Sequence, residues 1–174
     1  MSLWDQPPDR APLLVIAIGN PARGDDGIGP ALADRLQAWL ASQPSTLSDQ
    51  IEVLTTMQLS AEDVLDLTDR THVLVIDAQA TPSPHPEWTA VTAAPEGPAW
   101  TSHHLTPAHL LSLYTRLLQT APPPCTVLSV PGSDFTLGAP LSEAARLQVD
   151  LAWRALQAWL APHLARLANG ALSP

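Results

Sequence analysis

The apolar run Leu13-Leu14-Val15-Ile16-Ala17-Ile18 passes without a break into Gly19-Asn20-Pro21-Ala22-Arg23-Gly24-Asp25-Asp26-Gly27-Ile28-Gly29. A short continuous apolar run rich in β-branched residues reads as a strand buried on both faces, and a sheet with helices on each side provides that burial. The turn that follows sets two adjacent carboxylates at the carboxyl end of the strand, where open α/β sheets place their ligand sites.

The rest of the chain repeats this alternation. From Pro30 the residues Ala31, Leu32, Leu36, Trp39 and Leu40 recur at helical spacing, with Asp34, Arg35 and Gln37 on the watery side. Pro44 to Asp49 is a polar connector, and Ile51-Glu52-Val53-Leu54-Thr55 has the composition of a second strand. Ser60 followed by Asp63 marks a helix N-terminus ahead of Val64, Leu65 and Leu67. Thr71 to Asp77 is a third strand, again apolar and again ending in a carboxylate. Five prolines between Thr81 and Pro98 leave Trp88–Thr92 as a short edge strand. A helix with the face Leu110, Leu111, Tyr114, Leu117 and Leu118 follows, then the strand Thr126–Val130 and a turn at Gly132–Phe135. Ser142 to about Arg166 is one amphipathic helix carrying Leu147, Leu151, Leu156, Trp159 and Leu160, with Trp153 and Trp159 expected in the core. The expected fold is α/β: a single-domain, doubly wound, mainly parallel twisted sheet of about five strands with helices on both faces. The expected organisation is a flexible lead-in over 1–11, the α/β domain over 12–168 and a flexible tail over 169–174.

Composition excludes several chemistries. All eight cationic side chains are arginine, so a P-loop, a Schiff-base enzyme and a Ser-Lys hydrolase lack their essential amine. The net charge of -9 opposes nucleic-acid binding. The lone Cys125 excludes an internal disulfide and multi-cysteine metal sites, and its setting reads as that of a small buried hydrophobe. With no signal sequence and no run near the roughly 18 apolar residues of a membrane span, the expectation is a cytoplasmic protein without membrane insertion. The glycine spacing of the first turn is wrong for a dinucleotide fingerprint, its paired aspartates repel pyrophosphate, and no Gly-x-Ser-x-Gly elbow is present.

Asp25 and Asp26 can serve simply as helix caps, and Asp77 as a turn residue; His103, His104 and His109 can be ordinary surface or structural histidines. Convergence raises the interest of three of them. In a parallel sheet the carboxyl ends of neighbouring strands share one edge, so Asp26, Asp77 and a histidine at 104 can meet in one crevice. Two carboxylates and an imidazole suit a divalent transition metal, or acid and base work around a bound water.

These residues resemble the signatures of the hydrogenase maturation endopeptidases, which trim the C-terminal extension of the nickel–iron hydrogenase large subunit after nickel insertion. The resemblance spans about 13–160. Gly19-Asn20 with Asp25-Asp26-Gly27-Ile28-Gly29 looks like the family's first motif, and Val75-Ile76-Asp77-Ala78 like the end of its third strand. Ser102-His103-His104-Leu105 looks like its third site, and Gly132 to Ser142 like a later Gly-x-x-Leu-Ser segment. The resemblance implies a phosphorylase/hydrolase-like fold and an aspartic-type or metal-assisted endopeptidase. It implies Asp26, Asp77 and His104 as the trio that contacts nickel lodged in the substrate, with Asp25 in support and no tightly bound metal of the protein's own. The implied partner is the hydrogenase large-subunit precursor. Where the best-known members carry a glycine-rich turn, this chain has Thr56-Met57-Gln58-Leu59, a segment expected to help select the partner. A non-enzymatic nickel-binding assembly module with the same pocket, and a small metal-dependent peptidase or amidase, stay open as alternatives.

Overall fold

Strands that are apolar on alternate residues of both phases need cover on both sides, and the computed structural model shows how this chain supplies it. The structure describes residues 10–95 and 105–170, the last four as backbone alone. Five strands, β1 (Leu13–Ile18), β2 (Ile51–Thr56), β3 (His72–Gln79), β4 (Glu87–Val91) and β5 (Cys125–Pro131), form one sheet in the order β2-β1-β3-β5-β4. All pairings are parallel except that of β4, which runs antiparallel along the β5 edge. The proline-rich region thus contributes the expected edge strand, where an interrupted ladder costs least.

Four helices, α1 (Ile28–Ala41), α2 (Ser45–Ser48), α3 (Pro107–Leu118) and α4 (Glu143–Gly170), accompany the sheet. Leu13, Val15, Ala17, Leu74, Ile76 and Leu128 pack on one face against α1 and α4, chiefly against Leu32, Leu36, Trp153 and Leu156. Leu14, Ile16, Val73 and Val75 pack on the other against α3 and the segment Ala61–Leu67. Helices on both faces make the sheet doubly wound. Cys125 is buried among this second set, as expected, and burial pushes its thiol up to about 11, well away from nucleophilic service.

Several expectations need correction. The polar connector contains a helical turn, α2, and the helix begun by Ser60 is a seven-residue 3-10 helix, with the Ser60 amide donating to Asp63 at 2.6 Å. Leu117 on α3 and Leu147 and Leu151 on α4 are exposed, at 61%, 62% and 43%. The core stripe of α4 is Ala145, Ala152, Trp153, Leu156 and Leu160, while Trp159 is half-buried beneath a stack with Trp88 and His163. The expected lead-in and tail lie for the most part outside the described residues. Among the described residues no helix is long and apolar enough to cross a membrane.

From β1 the chain passes over one face to β2, then returns over the other face, past β1, to β3. The connections leaving β1 and β3 therefore diverge, which opens a crevice between their carboxyl ends, the position at which doubly wound sheets bind ligands.

Candidate functional site

Asp26 and Asp77 stand at that crevice, Asp26 in the turn after β1 and Asp77 near the carboxyl end of β3. Asp77 follows Val73 and Val75 in phase, so it faces the α3 side of the sheet. β3 continues two residues beyond it, to Gln79, because β5 keeps pairing through Gln79↔Pro131. Burial pushes the Asp77 carboxyl up to about 6; the Ala78 amide pulls it down, and the charge of Asp26 pushes it up again. The last influence records that the two carboxylates share one electrostatic environment.

Asp26 is held by its own turn. Its Oδ2 accepts from the Asn20 amide at 2.8 Å, while Asn20 Oδ1 accepts from the Ala22 amide at 2.9 Å. Neither Asp25 nor Asp26 caps α1. Gly19 makes the turn possible: its φ is +146°, and a Cβ there would stand 1.9 Å from the carbonyl oxygen of Asp26. Gly19→Ala is expected to cost about 3 kcal/mol, through strain and displacement of the Asp26 backbone, as measured by denaturant unfolding.

Asp25 turns the other way and is fully buried. Its Oδ2 accepts from the amides of Ser133 (2.7 Å) and Asp134 (3.0 Å) and from the Ser142 hydroxyl (2.9 Å), and its Oδ1 from the Ser142 amide (2.8 Å). Burial alone would raise its pKa, but the amides of Ser133, Ser142 and Asp134, with the Ser142 hydroxyl, hold it below the ordinary carboxylate value. The backbone adds three links between the same loops: Asp25 amide to Asp134 carbonyl (2.7 Å), Gly24 amide to Ala139 carbonyl (3.0 Å) and Gly138 amide to Ala22 carbonyl (2.7 Å). Ser142 also accepts from the Ala145 amide at 3.0 Å, which caps α4. Asp25 is thus a buried tie that fixes the loop presenting Asp26. Ser142 is the residue that reading for reactive groups missed, although its place in the Gly132–Ser142 segment was the available signal.

His103 and His104 lie outside the described residues. His109, in the first turn of α3, spends Nδ1 on Thr106 Oγ1 at 2.9 Å, so it serves the helix N-terminus. Among the described residues no third histidine, cysteine or acid joins Asp26 and Asp77 in a metal-sized cluster. In the distinctive segment after β2, Met57 is 70% exposed whereas Leu59 is buried in the core.

Two carboxylates within electrostatic reach of each other, one of them costly to ionise, make a site that gains from a cation or a polarised water.

No protein-family model matches the chain, and no curated protein matches it. Solved structures do. The hydrogenase maturating endopeptidase HybD from E. coli is similar at 21% identity and a TM-score of 0.63, over 85% of this chain and 91% of that one. The [NiFe] hydrogenase maturation protease HycI from Thermococcus kodakarensis follows at 18% and 0.60, over 84% and 90%. A hydrogenase 2 maturation peptidase from Thaumarchaeota archaeon SCGC_AB-539-E09 matches at 20% and 0.59, over 86% and 97%. The chain has the α/β fold of these hydrogenase maturation proteases, along nearly their whole length.

Proposed function

We propose that this protein is an endopeptidase that removes the C-terminal extension of a nickel–iron hydrogenase large-subunit precursor after nickel insertion. The observation that carries the reading is the Asp26–Asp77 pair at the switch point of a fold shared with solved hydrogenase maturation proteases.

In this reading nickel arrives as part of the substrate and docks on Asp26 and Asp77, with His104 completing the set. The carboxylates are suited to that role because an entering dication offsets the cost of ionising Asp77, which comes chiefly from its burial and in lesser part from the charge of Asp26. Docking fixes the precursor so that the scissile carbonyl lies beside the pair, and fixed orientation itself removes a large part of the barrier. A water attacks the carbonyl carbon and gives up a proton as it adds; the C–N bond breaks, and that proton passes to the released amine. Cleavage follows maturation of the substrate because an empty precursor brings no cation to the pair. A cytoplasmic setting, where such precursors are assembled, belongs to the same reading.

Incubating the purified protein with nickel-loaded and nickel-free precursor, followed by mass spectrometry of the large subunit, tests this. Loss of the extension from the loaded form alone is the expected result; a precursor of unchanged mass in both forms overturns the proposal.

A further inference from the structure

We infer that a cavity at the amino edge of the sheet, the edge opposite Asp26 and Asp77, is a binding site for a small anion bearing a phosphate or carboxylate group. The cavity has a volume of about 300 Å³. It is lined by Leu13 at the start of β1, Thr71 and His72 where β3 begins, Pro124 just ahead of β5, and His163 and Arg166 towards the end of α4.

Three cationic or protonatable side chains thus line one cavity in a chain whose net charge is -9. His163 and Arg166 are three positions apart and share a face of α4, and the His163 ring lies 5.1 Å from that of His72. No carboxylate lines the cavity. Arg10, Arg35 and Arg70 have ion-pair partners, whereas no carboxylate pairs with Arg166 among the described residues. Its Nε donates to the Pro162 carbonyl of its own helix at 3.3 Å, which leaves the two terminal nitrogens for a ligand. Burial first, then His163 and Arg166, hold the His72 imidazole below its ordinary value, so the charges acting on it are of one sign. An anion among these groups supplies the counter-charge that the protein does not.

The unspent groups of the wall are donors. His72 Nε2 stands 2.9 Å from Thr126 Oγ1; when that hydroxyl donates, a neutral His72 carries its proton on Nδ1 and can give it to a ligand. His163 commits Nδ1 to the Trp159 carbonyl at 2.7 Å, which leaves Nε2, a donor in the imidazolium form. The His163 ring stacks on Trp159 with centroids 3.8 Å apart, and the His72 ring meets Trp159 edge-on at 5.2 Å, so both imidazoles are held in place before a ligand arrives. The rest of the lining is engaged: the Thr71 hydroxyl donates to the Pro12 carbonyl at 2.9 Å, the Leu13 amide to the Gln50 carbonyl at 3.1 Å, and Pro124 has no N–H. A metal ion does not suit the set, because a guanidinium cannot ligate and, among the described residues, no third histidine, cysteine or acid joins the two imidazoles. The volume is at the lower end for small-molecule sites, which fits a small anion.

Titration calorimetry of the full chain at neutral pH and constant ionic strength, with inorganic phosphate and succinate in separate arms, tests the assignment without recourse to cleavage. One-to-one binding of at least one anion is expected, and the tighter of the two identifies the group. Arg166→Gln, at an exposed helix position, should weaken that binding about tenfold or more, the worth of a charge-assisted hydrogen bond, and Arg166→Glu should abolish it. Thermal unfolding of both variants without added anion should overlay the wild type. No saturable heat from either anion overturns the inference, as does binding of equal strength in a folded Arg166→Glu protein.

Discussion

Asp77→Asn is expected to lower kcat/KM for precursor cleavage by about 10²–10⁴-fold, the range for removing a positioned acid–base or charge-bearing group, while making the protein more stable at neutral pH. The two effects have one origin. The folded-state pKa of Asp77 is raised from 3.8 to about 6, so the folded protein resists ionising this group. A carboxyl with a raised folded pKa favours the folded state most below its unfolded value, and that advantage is lost as pH rises through about 6. Asparagine removes the charge, and the gain, on the order of 1–3 kcal/mol, should grow as pH rises above the unfolded value of 3.8 and be complete above about 6. Thermal unfolding at pH 4 and pH 8 checks it: the variant should match the wild type at the lower pH and exceed it at the higher. Cleavage by the wild type should rise through the same window, because the anion is the form that receives a cation. Equal stability of the two proteins at pH 8 would contradict the electrostatic account.

Asp25→Ala is expected to have the opposite profile, a large loss of stability with an indirect loss of activity. It leaves the amides of Ser133, Asp134 and Ser142 and the Ser142 hydroxyl without their common acceptor in a buried place. Orphaned buried donors of this kind cost about 3–5 kcal/mol together, readable as a shift in the urea midpoint. Its pH signature also differs in sign from that of Asp77. The folded pKa of Asp25 is lowered, so its contribution is present above the unfolded value of 3.8 and is lost as pH falls through the lower folded value. The wild type should therefore lose its advantage over Asp25→Ala in strong acid.

Much of the frame was legible in the residues because burial on both faces leaves an unmistakable trace. Leu13–Ile18 and Val73–Ile76 have no polar interruption, and both became interior strands. Proline density placed β4 at an edge for an equally direct reason, the missing N–H. The long helix was harder. Its apolar residues lie on more than one side, so periodicity did not separate Leu147 and Leu151, which face outward, from Ala145, Ala152 and Leu156, which face the sheet. The capping chemistry at Ser60 and Asp63 was readable, but a segment of seven residues carries no sign of whether it winds as an α- or a 3-10 helix. In the candidate site, Asp26 and Asp77 could be placed on one edge from strand order alone. Asp25 could not be understood that way, because its partners are mostly main-chain amides, which every residue but proline possesses, 108 to 117 positions further on.

That separation bears on the order in which the protein is made. The turn that presents Asp26 leaves the ribosome well before the segment that fastens it, because its tie is completed by Ser142, 117 residues after Asp25. A nascent chain that ends short of this point carries the motif but not the fastening, and long-range closure of this kind comes late in folding. The Asp26 turn is thus synthesised well before it is fastened, and the residue that fastens it lies just ahead of α4.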